Sequence, residues 1–169
     1  IRLAKSLGNT DVILGYFFQQ QHKHASGQLV PPLITLTEEQ QADLVVHSAD
    51  GYSAPLPMLV QSSLGGGFVS TFPDADGIIR RSPLLIRHNE GLYPSLALAA
   101  GLAYLFVESV ELNTETIDEV LSVTSVGFGE RPANTDVKAQ VIVPYIGKQK
   151  SFPYISASHV LHGLVSEGQ

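Results

Sequence analysis

The densest group of side chains able to do chemistry is Asp74-Ala75-Asp76-Gly77-Ile78-Ile79-Arg80-Arg81, with Arg87 a little further on. Two carboxylates next to a glycine invite a calcium-loop reading. An EF-hand loop needs oxygen ligands at positions 1, 3 and 5, Gly at 6 and Glu at 12. With Gly77 at the glycine position, Phe72 falls on the first ligand and Pro83 on the last, and neither can serve. The alternative is electrostatic. In an extended strand Arg80 and Arg81 point to opposite faces, so one of them is expected to face the core or a groove, where a lone charge is costly. Asp74 and Asp76 are close enough in sequence to pair with it, in bidentate fashion if geometry allows. This reading is a structural clamp. A rival keeps the other arginine, with Arg87 on its face by parity, as an anion site; Arg80, Arg81 and Arg87 are therefore the ligand-binding candidates.

The remaining motifs are incomplete. His22-x-His24 and His159-x-x-His162 could each offer two nitrogens to zinc, but a third ligand is not indicated, so solvated histidines and no metal are expected. Gly65-Gly66-Gly67 lacks the Lys-Ser/Thr of a phosphate loop. Gly51-Tyr52-Ser53-Ala54-Pro55 fails the Gly-x-Ser-x-Gly elbow at its last position. Without cysteine, a disulfide framework, a Cys-based zinc site and a Cys nucleophile are excluded. No cofactor is implied.

These groups must be positioned by a chain of 169 residues, enough for one domain with a real core. Only 15% of residues are charged, against roughly 25% in ordinary domains, which implies extensive burial. The net charge of −6 argues against a nucleic-acid partner. Ile1 to Leu7 reads as a helix stopped by Gly8, and Val12 to Phe18 as a buried central strand. Gln19 to Pro32 reads as a loop. Thr37-Glu38-Glu39-Gln40 has capping-box form and opens a helix expected to reach Ser48. Asp50 to Pro57 reads as a turn region, and Met58 to Leu64 as one or two helical turns ended by the three glycines. Phe68 to Phe72 and Ile78 to His88 read as a hairpin about Asp74 to Gly77. After a turn at Asn89-Glu90-Gly91, Pro94 can open a helix to Glu108. That helix is almost wholly apolar yet short of the ~20 residues of a membrane span, so burial on most sides is expected. One or two strands in Thr116 to Val126, a loop from Gly127 to Asp136, a strand from Ala139 to Tyr145 and a turn at Gly147-Lys148-Gln149-Lys150 follow. Ser156 can cap a last helix, Ala157 to His162, stopped by Gly163. The pattern is α/β or α+β: a mixed sheet with a hairpin and flanking helices in one sandwich domain.

Three separated motifs agree in order with a known family. Gly67-Phe68-Val69, Asp74-x-Asp76-Gly77-x-x-Arg80-Arg81-x-Pro83-Leu84 and Leu92-Tyr93-Pro94-Ser95-Leu96-Ala97-Leu98 resemble the signature of the second-type CHASE domain, a cyclase/histidine-kinase-associated sensory extracellular domain. Val143-Pro144-Tyr145-x-Gly147, Phe152-Pro153-x-Ile155-Ser156 and Val160-Leu161-x-Gly163 are similar to its closing segment. The resemblance implies an extracytoplasmic sensor tethered through flanking membrane helices. Its output module would be a nucleotide cyclase, a histidine kinase or a serine/threonine kinase, and it would respond to a small-molecule or envelope signal. The start at Ile1 reads as the C-terminal portion of such a sensor. Asp74, Asp76, Gly77, Arg80, Arg81, Pro83, Pro94, Tyr145 and Gly147 are the signature positions, expected to maintain the fold. No catalytic residue carries over. The competing readings are a periplasmic hydrolase and a module that pairs with a second copy of itself without ligand.

Overall fold

The structure is a computed structural model, and residues 2–20, 23–128, 131–148 and 151–165 are described. The first half of the chain runs α1 (Arg2–Leu7), β1 (Ile13–Gln19), β2 (Ala25–Ser26), β3 (Ile34–Thr35), α2 (Glu38–Asp43), β4 (Leu44–Val45), β5 (His47–Ser48), β6 (Gly51–Ser53), α3 (Pro57–Val60) and β7 (Gly65–Phe68). There follow β8 (Arg81–Pro83), β9 (Leu85–His88), β10 (Gly91–Pro94), α4 (Leu96–Tyr104), β11 (Glu111–Ile117), β12 (Val120–Phe128), β13 (Arg131–Asn134), β14 (Gln140–Ile142) and α5 (Ala157–Leu161). The architecture is a set of mixed sheets with short helices, as the residue pattern implies.

Four sheets form. Their orders are β2-β6-β1-β7, β3-β10-β9-β5, β11-β12-β13 with β4 beside β12, and the pair β14-β8. The second is the middle layer. Leu85 and Leu92 on one of its faces join a core with Leu36, Leu44, Leu98, Leu102, Val123 and Val126. Ile86 and Tyr93 on the other face join Tyr16, Phe18 and Phe68. Side chains alternate across a strand, so β9 and β10 feed both cores and are apolar at successive positions. The second core is aromatic: Phe18 meets Tyr16 edge-on at 5.4 Å and Tyr93 at the same separation.

The structure corrects several expectations. β1 is central, flanked by β6 and β7, but only alternate residues are covered: Tyr16 and Phe18 are buried while Phe17 is exposed. The capping box at Thr37 and Gln40 forms, yet α2 stops at Asp43. Leu44 and Val45 leave it to pair with Leu121 and Ser122, so sheet pairing overrides helical continuation. The supposed loop and turn regions hold β2, β6 and β13. Gly65 to Gly67 do not end a helix; they form β7, parallel to β1. A Cβ on Gly67 would lie 2.5 Å from Leu96 Cα, so glycine lets this strand rest on the start of α4.

The expected hairpin of Phe68–Phe72 with Ile78–His88 is absent. β7 pairs with β1, β8 pairs with β14, and β9 pairs with β10 and β5. The hairpin lies instead at β9-β10, turned at Asn89 with φ 51°. Pro94 ends β10 opposite Leu85, and Ser95 caps α4 by accepting from the Leu98 N–H at 3.2 Å. That helix buries only Leu98 and Leu102, and Tyr104 and Phe106 just beyond its covered face are exposed. Burial on most sides is therefore not what the helix shows. The helix Ala157–Leu161 forms with Ser156 at its N-cap. Expectations for Ile1 and for Gln149-Lys150 lie outside the described residues.

Candidate functional site

The three candidate arginines fall into two places. Arg80 and Arg81 close a charged cluster on the turn before β8. The Gly77 N–H donates to Asp74 O at 2.8 Å, the Asp74 N–H donates to Ile78 O at 3.0 Å, and Gly77 has φ 81°. Arg80 donates to both oxygens of Asp76, at 2.9 and 2.7 Å, and to Asp74 Oδ2 at 3.1 Å. Arg81 donates to the other Asp74 oxygen at 3.0 Å, and its Nε lies 3.8 Å from Asp136 Oδ2. The Arg80 guanidinium holds the Asp76 carboxyl below its ordinary pKa, helped by the Ile78 N–H. Asp76 and Asp74 in turn raise the Arg80 guanidinium.

One expectation about this cluster fails. Neither arginine is turned inward: both side chains are about half exposed, at 49% and 48%. The turn carries Arg80 out before the strand begins at Arg81, so strand parity does not separate them. The closing segment is tied to the same turn. Tyr145 Oη donates to Ile79 O at 2.6 Å, and the Val143 N–H donates to Arg80 O at 2.9 Å. Pro83 is buried in β8 beside Gln140. Pro94 and Gly147 lie apart from the cluster; Gly147 has φ 80°, and a Cβ there would strike Ser151 Oγ.

Arg87 is elsewhere. It sits on β9, next to Ser48 in register, and is partly buried. Its Nη1 donates to Gln41 O at the end of α2. It borders a cleft of about 590 Å³ lined by Lys23, Gln41, Ser48, Asp50 and Asn89, with Ala49 beneath. The Ala49 N–H donates to Arg87 O, and the Asp50 N–H to Gln19 O, so the cleft wall is pinned to two sheets. Among the described residues no carboxylate lies within 4.0 Å of Arg87, and neither Lys23 nor Asp50 is ion-paired.

A family model for the CHASE2 domain matches residues 2–169. The chain belongs to the CHASE2 family. No curated protein and no solved structure matches it. CHASE2 domains are extracellular sensory domains associated with cyclases and kinases, and they are sensory rather than catalytic.

In this CHASE2 chain the histidines divide too. His24, His159 and His162 are exposed; His22 lies outside the described residues. His47 and His88, in neither of the paired motifs, are partly buried. His88 Nδ1 is 2.9 Å from Ala49 O, and its ring meets Tyr52 edge-on. His47 stacks on Phe72 at 4.2 Å, and its Nε2 is buried with no hydrogen-bond partner among the described residues. Burial lowers its pKa and Lys138 adds to that, while Gln140 and Asp136 act the other way. Among the described residues no group of three or more His, Asp or Glu is placed to hold a metal, and no hydrogen bond joins a serine hydroxyl or a carboxylate to a histidine ring. No described helix is long and apolar enough to cross a membrane.

The cleft shows what sequence reading missed. Lys23, Gln41, Ser48, Asp50 and Asn89 come from separate segments, and no motif spacing links them. Arg87 was flagged only by parity with Arg81. The third carboxylate of the cluster, Asp136, was also missed; its own Asx-type turn, accepting from the Lys138 and Gln140 N–H groups at 3.0 Å, was its one local signal.

Proposed function

We propose that this chain is the input domain of a membrane receptor whose output module is a nucleotide cyclase, a histidine kinase or a serine/threonine kinase, and that the segment itself does no chemistry. Its place is extracytoplasmic, tethered through flanking membrane helices. The observation that carries the reading is the family match along the chain, joined to a polar cleft whose arginine, Arg87, has no carboxylate within 4.0 Å among the described residues. A ligand in the cleft would act by binding one of two packings of the domain more tightly, since equal affinity for both shifts nothing.

The signature residues serve a different purpose in this reading. Asp74, Asp76, Arg80 and Arg81 neutralise one another and fasten the turn, while Tyr145 fastens the closing segment to it. They are a structural clamp rather than an anion site.

The test is the output of the full-length receptor under varied external conditions, with this segment present or deleted. Output that follows the external condition only when the segment is present supports the proposal. Output indifferent to the deletion refutes it.

A further inference from the structure

We infer that the cleft beside Arg87 binds a small amino carboxylate, its carboxylate on Arg87 and Lys23 and its ammonium group on Asp50; this rests on the sensory reading above. Four observations converge on it.

Arg87 comes first. A guanidinium carries five N–H donors, and among the described residues one is used, Nη1 on Gln41 O. Arg80 and Arg81 each find a carboxylate although half exposed. Arg87 is more enclosed and has none within 4.0 Å among the described residues. A partly buried cation without a counter-charge is an unfavourable arrangement unless an anion arrives to complete it, and a carboxylate matches its fork.

Second, the arginine is held on a rigid element. β9 lies between β10 and β5, and Leu85 and Ile86 just before Arg87 are fully buried. Ser48 is its neighbour in register, and the Ala49 N–H donates to Arg87 O. A donor fixed in this way loses little freedom when it binds.

Third, the lining carries both signs, unjoined. Lys23 and Arg87 supply two cations to one cleft and Asp50 supplies one carboxylate. Two cations facing one space repel and favour an anionic group between them. Asp50, unpaired among the described residues, is left for a cationic one. Gln41, Ser48 and Asn89 add neutral donors and acceptors.

Fourth, a volume of about 590 Å³ lies in the ordinary range for small-ligand clefts, and the lining is too polar for a lipid or an aromatic compound. A single phosphate or a bare dicarboxylate would leave Asp50 facing like charge. A diamine would leave Arg87 and Lys23 unsatisfied. A molecule with both groups answers both ends.

The experiment is calorimetric titration and thermal melting of the 169-residue chain with L-alanine, L-aspartate and L-lysine, against succinate, inorganic phosphate and putrescine. The expected result is saturable binding of at least one amino acid with a raised melting temperature, and weaker or no binding of the other three probes. Arg87→Gln and Asp50→Asn should each weaken it roughly tenfold or more, while Arg80→Gln leaves it unchanged. Should Arg87→Gln fail to fold, Lys23→Gln and Asp50→Asn, both at exposed positions, carry the test. The inference is overturned if no amino acid binds, if succinate, phosphate or putrescine binds as tightly, or if Asp50→Asn binds as well as the parent chain. If it is overturned while receptor output still depends on the segment, the ligand assignment falls and the sensory reading stands.

Discussion

Arg80 and Arg81 stand on an exposed turn and are met by three carboxylates; Arg87 stands on a strand between two buried cores and is met by a backbone carbonyl. Pairing is usually read as the mark of burial, because an enclosed charge is the one that needs a partner. Here the more enclosed of the three arginines has no carboxylate within 4.0 Å among the described residues, and the two half-exposed ones do. Exposed ion pairs contribute little to stability, so the turn cluster sets local shape. Arg87, bonded to Gln41 O but with no carboxylate within 4.0 Å among the described residues, is the arginine on which the proposed ligand site rests.

The largest test of this contrast concerns the two supports. Ile86→Ala, beneath Arg87 in a fully buried position, should cost about 3 kcal/mol through lost burial and a cavity. Ile78→Ala, in the turn of the other cluster and 52% exposed, should stay within about 0.5 kcal/mol. Urea unfolding of both variants measures this, and comparable losses would erase the distinction between a rigid seat and a surface turn.

The next test removes the contacts themselves. Asp74→Ala takes away the carboxylate shared by Arg80 and Arg81, and Arg87→Ala takes away the bond to Gln41 O. Each should lower stability by about 1 kcal/mol. Salt then tells them apart. At about 1 M NaCl, where the screening length is ~3 Å, the loss from Asp74→Ala should largely vanish and that from Arg87→Ala should persist. The same dependence on salt in both would mean that Arg87 is held by charges in the way Arg80 is.

These two regions also differ in how far the amino-acid sequence reveals them. Apart from Asp136, the cluster lies within eight consecutive residues, Asp74 to Arg81, and local turn chemistry brings these members together, so their carboxylates and arginines could be matched from spacing. Which way the arginines faced could not, because the strand begins only at Arg81. The cleft joins residues from Lys23 to Asn89 through pairings of β5, β9 and β1 with distant partners. Those pairings went unread for a physical reason: β9 and β10 are buried on both faces and carry no two-residue alternation, and β7 is built largely of glycine. Helix caps at Thr37 and Ser156 depend on neighbouring residues alone and were legible; α4 was expected to open at Pro94, which instead ends β10, and its cap is Ser95.

Acid sharpens the contrast on the cluster's side. The Arg80 guanidinium and the Ile78 N–H hold Asp76 low, so its folded pKa lies below its unfolded one. Its contribution is present above the ordinary carboxylate pKa and is lost as pH falls through the folded value. Stability measured from pH 5 to 2 should therefore fall less steeply in Arg80→Ala than in the parent chain, by a small margin because the group is exposed. Equal slopes would mean that the bidentate contact does not persist in solution.

The smallest effect concerns His47, which connects the two regions. On β5 it pairs in register with Ile86 while Ser48 pairs with Arg87, and successive strand residues point to opposite faces. Ser48 thus lines the cleft, and His47 stacks on Phe72, just ahead of the charged turn. Burial depresses the His47 pKa below its ordinary 6.5. As pH falls past that value the unfolded chain takes up the proton first, so stability is full above it and declines as pH drops through the folded pKa. His47→Phe keeps the aromatic stack, removes the titration and leaves no bond broken at Nε2, which has no partner among the described residues. Between pH 7 and pH 5.5 the parent chain should lose a small amount of stability that His47→Phe does not lose, and two parallel curves would show that the ring does not titrate differently in the folded chain. If the loss is found and ligand affinity at the cleft weakens over the same interval in the parent alone, β5 is the element through which the charged turn and the cleft sense one another.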